Sequence, residues 1–278
     1  MNLLDIEGGL FLEFAGAIGA LWGLGNLFTG PLQHWFIFRP RKLAPSYVYD
    51  FLAPCEELWI TTSRGGKLNA LLFKAGTQPS RGVIAFFHGN AGNLSRWGHL
   101  HHFFTRFGYD FFVYDYRGYG KSSGKRSEAL LYEDALQVYA YLAQHYPPDQ
   151  MVLYGRSLGS AFAIRVAASF PARMLILETP FSSMKDLFYT YYPFLPALFF
   201  FRYRFPSQHY LSQVAYPVAI FQGASDRIVP FSCAARLKAS LKPGDRFFAV
   251  PGAGHNNLLF YDIYNRELET LLDGETGS

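Results

Sequence analysis

The sequence predicts an α/β fold: a mostly parallel, eight-stranded sheet with helices on both faces and a short aromatic cap. Three observations predict it. After Pro40, short apolar runs alternate with stretches of helical character, the pattern of strands joined through helices. Several runs, such as Gly82–His88 with its core Val-Ile-Ala-Phe-Phe, are apolar throughout, as strands buried on both faces are. Glycine-rich turns follow three of the runs, at the sheet edge where open α/β sheets bind ligands.

The elements follow in order. Glu57–Ser63 and Lys67–Ala75 read as a hairpin closed by Arg64-Gly65-Gly66. Strand Gly82–His88 leads to a helix from about Ser95 to Phe107, then strand Asp110–Asp115. Helix Ser127–Tyr146 carries an apolar stripe at Leu131, Ala135, Val138 and Leu142, the spacing of one buried face. Strand Met151–Tyr154, helix Leu158–Ser169 and strand Met174–Glu178 come next. Strand Val218–Gln222, a helix near Ser232–Leu241, strand Arg246–Val250 and a helix near Asn257–Leu272 complete the order. One stretch breaks the alternation. Met184 to Tyr216 is too aromatic for a simple crossover: ten of the nineteen residues Leu187–Phe205 are Phe or Tyr. It reads as a cap insertion, about residues 184–216, over the carboxyl ends of the strands.

Composition narrows the function. Of 278 residues, 50% are hydrophobic and 17% charged, enough apolar material for one large core over residues 43–278. The net charge of +4, with no basic stripe, argues against a nucleic-acid partner. Cys55 and Cys233 stand far apart and form neither a disulfide framework nor a metal spacing. Residues 1–42 differ from the rest. Phe14 to Phe38 holds no charged side chain, long enough for a bilayer span of about 20 residues, yet seven glycines lie between Gly8 and Gly30. Arg39, Arg41 and Lys42 follow at once, and such residues favour the cytoplasmic side and anionic lipid heads. The segment is expected to act as an anchor, spanning or lying in the interface through residues 8–42. The alternative is a helix docked on the protein's own surface or on a partner subunit.

The chemistry begins at Gly155-Arg156-Ser157-Leu158-Gly159, between a strand and a helix. A serine on so sharp a turn needs glycines on both sides, and the turn presents its hydroxyl beside the N–H groups of the helix start. Ser157 is thereby the candidate nucleophile. A serine needs a base, and the base an orienting acid. Asp226 stands just past Val218–Gln222, and His255 just past Arg246–Val250. In a parallel sheet these ends share one edge, so the three side chains can converge. Glu178 and Asp186 are reserve acids. The Leu158 N–H and a second N–H from His88-Gly89-Asn90-Ala91-Gly92-Asn93, that of Asn90 with Ala91 as fallback, are the expected oxyanion donors.

These segments, with Asp115-Tyr116-Arg117-Gly118-Tyr119-Gly120-Lys121-Ser122, Ser225-Asp226 and Gly254-His255, resemble the α/β-hydrolase superfamily, and more narrowly its Bem46-like group, which commonly carries an N-terminal membrane anchor. The resemblance implies a Ser-Asp-His triad and a serine hydrolase of the esterase, thioesterase or lipase kind, with no cofactor and no metal. The aromatic cap points to an apolar, lipid-like acyl substrate. Two further readings stay open: an aminopeptidase or amidase on the same triad, with Glu178 or Asp186 holding the substrate amine, and a non-catalytic membrane adaptor on a hydrolase scaffold. His88, Arg117 and Arg156 read as loop-bracing residues. His99 and His102, on one face of the expected helix, lack the partners a metal site requires.

Overall fold

A computed structural model of the chain describes residues 33–76, 79–194 and 201–273, together with residues 16 and 31. Eight strands form one sheet: β1 (Cys55–Thr62), β2 (Gly66–Phe73), β3 (Val83–Phe87), β4 (Asp110–Tyr114), β5 (Met151–Arg156), β6 (Met174–Glu178), β7 (Val218–Gly223) and β8 (Arg246–Val250). Their spatial order is β1-β2-β4-β3-β5-β6-β7-β8. β2 is antiparallel to both of its neighbours, β1 and β4, and from β4 across to β8 every pairing is parallel. The carboxyl ends of β3, β5, β7 and β8 therefore open on one edge of the sheet.

Side-chain alternation splits the core into two layers. Val83, Ala85 and Phe87 of β3 join one apolar cluster with Leu153, Leu175 and Ile220, while Ile84 and Phe86 join another with Tyr154, Ile176 and Phe221. On the first face lie α3 (Glu128–Leu142) and α4 (Leu158–Ala167). The stripe Leu131, Ala135, Val138 and Leu142 is buried as its spacing predicts, and Ser127 caps α3 by accepting the Leu130 N–H at 3.3 Å. On the second face lie α1 (Leu94–Trp97), α2 (His101–Thr105) and, last in the chain, α8 (Asp262–Asp273). Between them in sequence come α5 (Met184–Tyr191), α6 (Ser207–Leu211) and α7 (Phe231–Ala235).

The expected helix over Ser95–Phe107 is broken. A 3₁₀ turn at Gly98–Leu100 separates α1 from α2, and residue 98 must be glycine because the Phe51 ring packs on it: a Cβ there would come 2.4 Å from its Cζ. His99 and His102 are both exposed across this junction. The expected helix near Ser232–Leu241 likewise turns into 3₁₀ structure after Ala235.

The aromatic segment divides its rings between the core and the surface. Tyr203 and Phe205 are buried, with Phe205 packed edge-on to Phe162 of α4 and Tyr132 of α3. Tyr191, Tyr192 and Phe194 at the end of α5 are exposed. The described part of the N-terminal segment lies against this surface. His34 Nδ1 is 2.9 Å from the Tyr203 hydroxyl, Ile37 and Phe38 are buried, and Trp35 and Phe36 face outward. Among the described residues no helix is long and apolar enough to cross a membrane; most of the apolar run from Phe14 lies outside them.

Candidate active site

The turn after β5 explains the motif glycine by glycine. A Cβ on Gly155 would sit 2.6 Å from Ser160 Cα, and one on Gly159 would sit 1.9 Å from the Phe87 carbonyl oxygen. The helix can therefore approach β3 closely only through glycine. Ser157 itself has φ 53° and ψ −118°, a sparsely populated conformation that costs about 1–3 kcal/mol. Its N–H donates to the Glu178 carbonyl at 2.9 Å, which fastens the turn to β6 and lifts the hydroxyl over the sheet edge.

Three of the residues expected from the sequence meet there. Ser157 Oγ lies 2.9 Å from His255 Nε2, and His255 Nδ1 lies 2.8 Å from Asp226 Oδ2. Asp226 is held from four directions. Its Oδ1 accepts the Ile228 and Val229 N–H groups at 2.8 and 2.9 Å, and its Oδ2 accepts from Gln222 Nε2 at 3.1 Å as well as from the imidazole. A fully buried carboxylate is tolerated when its lone pairs are met in this way. The reserve acids lie elsewhere. Glu178 is buried against Tyr154 (2.7 Å) and Arg156 (3.1 Å), and Asp186 pairs with Arg236 at 3.4 Å.

The Leu158 N–H opens α4 and so has no partner within the helix. The loop after β3 runs beside it: a Cβ on Gly89 would stand 3.8 Å from the Arg156 carbonyl oxygen. Among the described residues, neither the Leu158 N–H nor the Asn90 N–H donates to another protein group. Tyr191 on α5 donates to the Arg227 and Ile228 carbonyls, which joins the aromatic segment to the loop carrying Asp226. Among the described residues no group of three His, Cys, Asp or Glu side chains is arranged to hold a metal ion.

The chain is 31% identical over 221 residues to alpha/beta hydrolase domain-containing protein 17B of Xenopus tropicalis, covering 77% of this chain and 74% of that one. The chain belongs to the α/β-hydrolase superfamily. The hydrolase is also 32% identical over 244 residues to an uncharacterized protein of Mycobacterium tuberculosis, covering 87% of both chains. The family model described as serine aminopeptidase, S33, matches residues 78–211. Among solved structures, an esterase of Pyrococcus furiosus superposes with a TM-score of 0.67 at 17% identity, over 87% of this chain and 99% of that one. Acetyl xylan esterase 1 from Thermoanaerobacterium superposes with a TM-score of 0.62, also at 17% identity, over 84% of the hydrolase and 87% of its own chain. These likenesses show the fold.

The bracing residues of the hydrolase are as buried as its core. Arg117 makes two hydrogen bonds of 2.6 and 2.7 Å to Asp134 and one of 2.7 Å to the Ser63 carbonyl, pinning the β1–β2 turn. Gly66 must lack a side chain because the guanidinium lies 2.6 Å from where its Cβ would stand. His88 Nε2 is 3.3 Å from Asp115 Oδ1, both fully buried. Burial pushes the Asp115 carboxyl above its ordinary range, against the lowering pull of His88. Gln222, to which no role falls from the motifs, fixes Asp226. Its signal was a lone amide ending the buried run Val218-Ala219-Ile220-Phe221.

Proposed function

We propose that the protein is a serine hydrolase that cleaves a carboxylic ester or thioester bearing an apolar acyl group. The observation that carries the reading is the unbroken chain Ser157 Oγ–His255–Asp226, 2.9 and 2.8 Å long, on a strained strand-to-helix turn. Ser157 Oγ attacks the acyl carbonyl while His255 Nε2 takes its proton. Asp226 keeps the other ring nitrogen protonated and stabilises the imidazolium. The Leu158 and Asn90 N–H groups receive the oxyanion. His255 then protonates the leaving alcohol or thiol, and a water it deprotonates releases the acyl group.

An apolar acyl group is supported by the exposed Tyr191, Tyr192 and Phe194 and by Ile228, two residues from Asp226. The aminopeptidase reading shares the name of the matching family model. It needs a free carboxylate for the substrate amine, and both candidates are engaged: Glu178 inside the protein and Asp186 by Arg236. We place the N-terminal segment at a membrane surface, with the exposed Trp35 and Phe36 ahead of Arg39, Arg41 and Lys42. Rates on p-nitrophenyl esters of increasing acyl length, set against aminoacyl anilides, test the substrate class. Turnover that rises with acyl length and leaves anilides uncut is expected; preference for the anilides overturns the ester reading. Retention in the membrane fraction is the expected result for the anchor.

A further inference from the structure

The loop after β3 is bound by a segment remote from it in sequence. Arg39–Pro40 forms a short parallel pairing with Ala91–Gly92. The Arg39 N–H donates to the Asn90 carbonyl at 2.9 Å and the Arg41 N–H to the Gly92 carbonyl at 3.1 Å. The strap is itself held from behind. Asn93 Nδ2 and the Gly120 N–H both donate to the Arg41 carbonyl at 2.9 Å, and the Leu43 N–H donates to the Gly120 carbonyl at 3.1 Å.

These bonds act on one property of the loop, the direction of its N–H groups. In a planar trans peptide the C=O and the following N–H point opposite ways. The His88 carbonyl accepts from the Tyr116 hydroxyl at 2.6 Å, and the Gly89 carbonyl lies 2.7 Å from His88 Nδ1. The Asn90 carbonyl accepts from the Tyr119 hydroxyl at 2.8 Å as well as from the Arg39 N–H. With these three carbonyls tied down, the N–H groups of Gly89, Asn90 and Ala91 are fixed in the opposite sense. Two of those ties come from the Asp115–Ser122 loop, one from within the loop itself and one from the N-terminal strap. The Arg39 side chain is exposed, so the backbone alone makes the contact.

We propose that the strap of residues 38–43 is a positioning element of the oxyanion loop: through the Arg39 and Arg41 N–H groups it holds the Asn90 and Gly92 carbonyls, which sets the Ala91 N–H and anchors the peptide that follows the Asn90 donor, in addition to any part it has in attachment. The proposal rests on the serine-hydrolase reading. A loosened donor costs less than a deleted one, so a loss of about 10- to 100-fold in kcat is expected when the strap lets go, against about 100- to 1,000-fold for removing a donor outright. The full-length chain is assayed on a p-nitrophenyl ester as Arg39→Pro, which deletes the N–H, and as Arg39→Ala, which keeps it. Melting temperatures are recorded alongside.

Arg39→Pro is expected to lower kcat with KM little changed, and Arg39→Ala to keep kcat within about twofold, well short of a loosened donor. If Arg39→Pro does not fold, Arg41→Pro carries the same expectation. A folded proline variant with wild-type kcat, an equal loss in Arg39→Ala, a rise in KM alone, or failure of both proline variants to fold overturns the proposal. Failure of a fluorophosphonate to label Ser157 in the unaltered chain instead overturns the reading beneath it.

Discussion

Replacing Asp226 by asparagine changes one atom and should remove nearly all turnover. Asp226 Oδ1 accepts two backbone N–H groups, from Ile228 and Val229, at 2.8 and 2.9 Å. Turning the amide so that its NH₂ faced them would strand two buried donors at about 1–3 kcal/mol each. The asparagine oxygen must therefore stay in the Oδ1 position, and the NH₂ must take the Oδ2 position, 2.8 Å from His255 Nδ1 and 3.1 Å from Gln222 Nε2. Facing an NH₂, the imidazole must accept at Nδ1 and carry its proton on Nε2. That proton points at Ser157 Oγ, 2.9 Å away, so the ring no longer offers the lone pair that removes the serine proton. Loss of the correct tautomer in a triad costs about 10,000-fold in kcat, which is about 5.5 kcal/mol of transition-state stabilisation. The assay is steady-state hydrolysis of a p-nitrophenyl ester, with a denaturation midpoint to establish that the variant folds. A folded Asp226→Asn enzyme within tenfold of wild-type kcat would refute the tautomer argument.

Two further perturbations test the frame around the site. Asp134→Ala leaves the Arg117 guanidinium buried without its carboxylate and should destabilise the protein by about 3–5 kcal/mol in urea titration, whereas Arg117→Met with Asp134→Leu should cost far less; equal losses would contradict the pairing. His101 stacks on Phe73 at 4.3 Å, and burial, then His102 and His99, push its pKa down from 6.5 to about 4. A folded pKa below the unfolded one gives stability that is present above the unfolded value and lost as pH falls from about 6.5 towards 4. Thermal melts should show that acid sensitivity, and His101→Phe should flatten it by about 1–3 kcal/mol; an unchanged slope would remove His101 as the cause.

What was legible in the sequence was what local chemistry dictates. The glycines of Gly155-Arg156-Ser157-Leu158-Gly159 mark a close approach that no other residue permits, and the contacts at Phe87 and Ser160 are that approach. Asp226 and His255 were legible because the ends of parallel strands share an edge. The illegible features depend on partners distant in sequence. The need for glycine at 98 is set by Phe51, the depth of Arg117 by Asp134, and the fixing of Asp226 by Gln222 at the end of its strand. Residues 39–41 read only as a basic flank, because their backbone pairing with the Asn90 loop leaves no mark on side-chain chemistry.

Everything proposed for the site turns on Ser157 as the nucleophile. Treatment of the full-length protein with a fluorophosphonate, followed by mass spectrometry of its peptides, tests it most directly. One phosphonylated residue, Ser157, is expected, with no labelling of a folded Ser157→Ala variant. Labelling that persists in that variant, or a wild-type protein that stays unlabelled while hydrolysing an ester, would contradict it.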